Sequence, residues 1–227
     1  MTTLVEIPAL GCDERLYTAF NAALGRKAQC IVPVADRFEG CVEQILEQAP
    51  KEFFIMGTSF GARAAIETTL AAPKRVKALI VVGAGPGPTA DRAGGLRRGE
   101  RVRNGELDMV LKEMGDIVSH LPGPRGNETM QAFRIMGRDM GPEKFAAQSD
   151  AMAYREDLWP RMKDIACPVL CLWGDHDQYS PHETAHKIAG AVQHGKIVVI
   201  ADCGHFPTLE YPAETAHAVT GFLAISG

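Results

Sequence analysis

The sequence predicts an α/β protein: a mostly parallel sheet of about six strands, helices on both faces, and a helical insertion. Three observations carry this. Apolar, β-branched runs alternate with amphipathic segments of helical length. One run, Ala78-Leu79-Ile80-Val81-Val82, is continuously apolar, as a parallel strand buried on both faces must be. The alternation then lapses once, between Gly83 and about Ile165, where Gly/Pro-rich and charged sequence carries only helical patches.

The chain begins on a strand, Leu4–Ile7, and a helical pattern over Glu14–Leu24 follows. Cys30–Val34 reads as the second strand and Cys41–Gln48 as the next helix. Phe53–Met56, Phe60–Ala71 and Val76–Val82 continue as strand, helix and strand. Gly83-Ala84-Gly85-Pro86-Gly87-Pro88 opens the insertion, whose clearest helices are Leu107–Val118 and Pro142–Tyr154. Strand Val169–Trp173, helix Pro181–Val192 and strand Lys196–Ile200 complete the series. These boundaries predict a core of residues 1–85 and 166–227 and a helical cap over 86–165.

Bulk properties exclude several classes. A net charge of −4 gives no reason to expect nucleic acid or an anionic membrane as partner. No apolar run reaches the length of a membrane span. The N-terminal residues lack a basic region followed by a long apolar one, so a cytoplasmic protein is expected. Cysteines 12, 30, 41, 167, 171 and 203 include no C-x-x-C pair, and several lie inside strand-like runs. Free thiols in a reducing compartment are expected rather than disulfides.

The most informative stretch is Gly57-Thr58-Ser59-Phe60-Gly61, set between a strand and a helix. Small residues at both ends let the chain turn sharply and expose the serine hydroxyl. Free N–H groups at the helix N-terminus favour a developing anion there. A serine hydroxyl needs a base, and the base needs an orienting group. Two later strands run into polar clusters, Gly174-Asp175-His176-Asp177 and Asp202-Cys203-Gly204-His205. In a parallel sheet both clusters lie on the same carboxyl edge as Ser59.

The chain therefore resembles the α/β-hydrolase superfamily, and the resemblance covers nearly all of it. It rests on Gly57–Gly61, the Gly174–Asp177 turn, and Gly204-His205 followed by Leu209-Glu210-Tyr211-Pro212, in the order Ser, Asp, His. The resemblance implies Ser59 as nucleophile, His205 as base and Asp177 as orienting acid, with Asp175 and Asp202 as rivals for the acid. It implies an oxyanion hole from the N–H groups of Phe60 and Leu10. Ala9 stands where relatives carry glycine, and Gly11 is the alternative donor. Against the family core, which often opens with an antiparallel pair of strands, a sheet trimmed to about six parallel strands is expected.

Two other patterns need weighing. His182-Glu183-Thr184-Ala185-His186 matches the H-E-x-x-H zinc signature. It reads better as a capped helix start, with Ser180 as cap, Pro181 at the first position and Glu183 reaching back. The other histidines, 120, 176, 194 and 217, read as surface residues. Arg92, Arg97, Arg98, Arg101 and Arg103 read as a solvated face, or as one or two cations reaching the cleft to meet a substrate carboxylate. Six methionines between 109 and 152 suggest ordinary core filling or adaptable packing around an apolar substrate.

The expected activity is hydrolysis of a small carboxylic ester or related acyl compound through an acyl-enzyme. The alternatives are a C–C bond hydrolase of an acidic ring-cleavage product and a triad-bearing receptor with little turnover. No cofactor or metal is expected. The partner is a small molecule, and a homodimer is compatible with the sequence.

Overall fold

The computed structural model describes residues 2–225. Six parallel strands form one sheet: β1 (Thr3–Ile7), β2 (Ala28–Cys30), β3 (Phe53–Thr58), β4 (Val76–Val82), β5 (Val169–Gly174) and β6 (Gly195–Ile200), in the order β2-β1-β3-β4-β5-β6. β3 and β5 are buried along their whole length, which explains the apolar runs Phe53–Met56 and Val169–Trp173. The order reverses direction at β1, next to β3, so the β1 and β3 carboxyl ends open a crevice where α/β sheets bind ligands.

The expected second strand is displaced. Pairing with β1 ends when Ile31 N–H donates to Glu6 O at 2.9 Å. Pro33 has no N–H to offer, and both backbone groups of Val34 are held at 2.8 Å by the Gln44 side-chain amide. The run Ile31–Val34 is therefore an apolar loop, and the strand is Ala28–Cys30.

Among the core helices, α1 (Thr18–Leu24) follows a 3-10 turn at Glu14–Tyr17, which Asp13 caps through Arg15 N–H. Helix α2 is Phe38–Gln48, and α3, Phe60–Ala71, packs between β3 and β4. The segment between β4 and β5 contains α4 (Arg92–Arg101), a widened turn at Val102–Glu106, α5 (Leu107–Gly115), α6 (Gly126–Met140) and α7 (Pro142–Tyr154). Glycines at 94, 95, 99, 126 and 137 mask α4 and α6 in the sequence. At Gly95 and Gly137 a Cβ would press within 2.8 Å of Ala153 and 2.3 Å of Leu111, so these glycines permit close helix packing. After β5 come α8 (Glu183–Ala191), α9 (Pro207–Glu210) and α10 (Pro212–Ala224). The expected capping box at α8 does not form. His182 occupies the cap position without a side-chain bond, and Ser180 N–H donates instead to Asp177. Among the described residues no helix is long and apolar enough to cross a membrane, and all six cysteines are free.

Candidate active site

Ser59 stands between β3 and α3 with φ 56° and ψ −114°, a left-handed backbone that a serine adopts only under constraint. The constraint is steric and visible on both sides. A Cβ on Gly57 would lie 2.0 Å from Gly61 O, and one on Gly61 would lie 1.9 Å from Ile7 O. The turn is thus pressed against itself and against the end of β1. Ser59 N–H donates to Val82 O at 2.8 Å, which ties it to β4 as well.

His205 and Asp177 come from the turns after β6 and β5. His205 Nδ1 and Asp177 Oδ2 are 2.7 Å apart, with side chains only 4% and 1% exposed. The other Asp177 oxygen accepts the N–H groups of Tyr179 at 2.8 Å and Ser180 at 3.0 Å, so the carboxylate is fixed in direction. Asp175 accepts from Cys203 N–H instead, and Asp202 is exposed with φ 53°. Of the three candidate acids, Asp177 is the one that meets the histidine. Gly83, at the end of β4, lies beneath the pair. With φ 65°, its Cβ would fall 3.0 Å from the His205 ring and 3.1 Å from Asp177 Oδ2.

Ser59 and His205 line two adjoining cavities. The smaller, about 80 Å³, is bounded by Leu10, Val118, Phe133 and Phe206 and is apolar. The larger, about 490 Å³, is lined by Arg63, Arg98 and Arg155, with Asp91 as its single acidic residue among those described. Arg98 is the one arginine of the sequence cluster that enters the cleft. Its Nε donates to Ser149 Oγ at 2.8 Å, and burial pulls its pKa down. Arg101 and Arg103 are occupied by Glu106, Glu113 and Asp150, while Arg92 and Arg97 are exposed. Met114 and Met152 line the small cavity, whereas Met109 is exposed and Met136 is core.

Leu10 lines the small cavity, and Phe60 follows Ser59 as the first residue of α3. Among the described residues neither N–H has an acceptor within the protein. Gly11 N–H donates to Gln148 Oε1 at 3.0 Å, so of the two candidate donors in the β1 loop Gly11 is already engaged.

Three supporting residues escape a reading of motifs. Gln148, fully buried on α7, also donates to Pro33 O and so ties the insertion to the loops after both β1 and β2. Arg63, buried in α3, donates to Pro86 O at 2.7 Å and to Glu156 O at 2.8 Å, holding both ends of the insertion. Glu210 accepts the N–H groups of His120 (2.9 Å), Gly204 (3.0 Å) and Phe206 (3.3 Å), clamping the turn that carries His205. Burial pushes its carboxyl pKa up, while these bonds pull it down. The H-E-x-x-H histidines are not part of any such arrangement. His182 has only a 3.9 Å approach to Glu183, and His186 is exposed.

A parallel sheet with a strained serine elbow and a carboxylate-held histidine on one edge is the architecture of α/β hydrolases. The alpha/beta hydrolase family model matches residues 7–218, and the chain belongs to that family. Curated relatives include the 2-hydroxy-6-oxononadienedioate/2-hydroxy-6-oxononatrienedioate hydrolases of Paraburkholderia xenovorans and Escherichia coli. They are 26% and 25% identical over 178 and 183 residues, covering 75% of this chain. The match spans only 61% and 62% of their own lengths. A malate-bound thermophilic esterase from Thermogutta terrifontis superposes with a TM-score of 0.90 at 22% identity, over 100% of this chain and 90% of that one. The enol-lactonase of Burkholderia xenovorans superposes at 0.87 and 16% identity, over 98% and 91%.

Proposed function

We propose that the protein is a serine hydrolase of small, carboxylate-bearing esters or related acyl compounds. One observation carries the reading: a strained Ser59 and an Asp177-held His205 open onto one cleft that is apolar on one side and arginine-lined on the other. His205 takes the proton of Ser59 as the hydroxyl attacks the carbonyl. Asp177 keeps the Nδ1 proton in place and so leaves Nε2 as the base. Phe60 and Leu10 N–H groups stabilise the oxyanion, an interaction worth about 3–4 kcal/mol per donor. His205 then protonates the leaving group, and water releases the acyl-enzyme. Residues 86–165 act as the cap, with Arg98 in position to meet a substrate carboxylate. Among the described residues Arg98 and Arg155 bond only to a hydroxyl, carbonyls and a thioether, so their charges are available to a ligand.

A second reading keeps the same residues but breaks a C–C bond. It is favoured by the relatives, named as hydrolases of dicarboxylates, together with the arginine-lined side of the cleft.

Labelling with a fluorophosphonate, read as intact mass, tests the core of this. One adduct is expected on the wild type, none on Ser59→Ala, and strongly slowed labelling on His205→Ala. Unlabelled wild type would remove the serine-hydrolase reading. Paired aryl esters with and without a terminal carboxylate, beside a 2-hydroxy-6-oxo-dienoate, then separate the two readings. Arg98→Met should raise KM for the anionic ester and leave its neutral analogue nearly unchanged.

A further inference from the structure

Outside the cleft, His120, His176 and Asp202 each bring one ligand atom to within 4.8 Å of the others. Among the described residues they are the one set of three histidine, cysteine or acidic side chains that converges in this way. Each comes from a different segment. His120 follows α5, His176 precedes Asp177 in the turn after β5, and Asp202 lies in the turn that leads to His205. The two imidazole rings stack with centroids 4.0 Å apart and planes 12° from parallel.

We propose that His120, His176 and Asp202 form a binding site for a divalent transition-metal ion, zinc in the first instance. Two imidazoles and a carboxylate are a ligand set suited to zinc, with the fourth position left to water. Tetrahedral zinc with bonds of about 2.1 Å needs ligand atoms about 3.4 Å apart. Closing any separation beyond that value requires side-chain rotation that unstacks the rings, and His176 and Asp202 are exposed.

The backbone around the set is already fixed. Asp202 is held in the left-handed region at φ 53°. His120 N–H donates to the same Glu210 carboxylate that accepts Gly204 N–H. Gly123 leaves room at the base, for a Cβ there would lie 3.2 Å from both His120 Cδ2 and Asp202 O. Asp175 Oδ1, which accepts Cys203 N–H, stands 3.9 Å from His176 Nε2 and adds a second negative charge beside the set. A bound ion would staple the insertion to the two turns that carry Asp177 and His205. The H-E-x-x-H sequence has no part in it.

The test is calorimetric titration of chelator-treated full-length protein with zinc chloride, with thermal melts alongside. One equivalent should bind the wild type. His176→Ala and Asp202→Asn, shown folded by far-UV circular dichroism, should each weaken binding by about tenfold or more. A His182→Ala/His186→Ala double variant should bind as the wild type does. Zinc at about a hundredfold excess over Kd should raise the wild-type Tm by roughly 5 °C or more, and much less in the two site variants. Absence of stoichiometric binding would overturn the proposal. Undiminished binding in the site variants, or loss confined to the double variant, would do the same.

Discussion

Glu6 provides a quantitative test of how the core beneath the site is held. It lies on β1 with no exposure to solvent. Asn21 donates to its Oε2 at 2.9 Å, while its Oε1 and the Asn21 carbonyl have no partner. Burial pushes its pKa from 4.5 up to about 7, against a smaller lowering by Asn21. Between those two values the folded protein retains a proton that the unfolded chain has lost. Stability therefore falls as pH rises from about 4.5 to about 7, and the contribution is flat on either side. A displacement of this size corresponds to about 3 kcal/mol. Glu6→Gln removes the titration, and its amide can answer both Asn21 groups. Urea unfolding of both proteins at pH 4.5 and pH 8 should show the variant gaining about 3 kcal/mol on the wild type between the two. All other titrating groups are common to both and cancel. A relative gain below about 1 kcal/mol would refute the reasoning, because Glu6 would then be ionising without penalty.

Three further outcomes are expected. Gly83→Ala places a Cβ against His205 and Asp177 at a φ of 65°, so turnover should fall by about tenfold to a hundredfold while stability falls by only about 1–2 kcal/mol. Steady-state kinetics and urea melts separate the two effects. Arg63→Met keeps the buried volume but releases Pro86, Glu156 and the 2.6 Å pair with Glu67. Stability should drop by about 3 kcal/mol or more, and limited proteolysis should now cut near residues 86–87 and 156; an unchanged digest would refute the tethering role. Glu210→Ala strands three N–H groups around the His205 turn, which should cost about 3 kcal/mol and lower Tm by roughly 6–12 °C in a thermal melt.

Much of this molecule was legible because its strands are buried on both faces. Ala78–Val82 and Val169–Gly174 must be apolar throughout, and that continuity survives in one dimension. The Gly-x-Ser-x-Gly turn was equally legible, since Gly57 and Gly61 are demanded by backbone contacts that no larger residue could make. Where tertiary hydrogen bonds decide, local pattern fails. Ile31–Val34 has the composition of a strand, but Gln44 captures its backbone from another element. The helices α4 and α6 hid behind glycines that propensity penalises and that helix packing requires.

The same division holds at the candidate site. Ser59, Asp177 and His205 announce themselves through turns with fixed local chemistry, and the structure brings them to one edge. The groups that hold them do not. Arg63, Gln148 and Glu210 each act on backbone atoms of distant segments, an interaction that leaves no spacing in the sequence to detect. His120 is the sharpest instance. It reads as a surface residue in a loop, yet it stacks on His176 from a turn more than fifty positions away. Meanwhile the literal H-E-x-x-H motif shares one helix and its cap, and among the described residues it gathers no third ligand. A metal site is a statement about convergence in space, and spacing along one helix supplies at most two of its ligands.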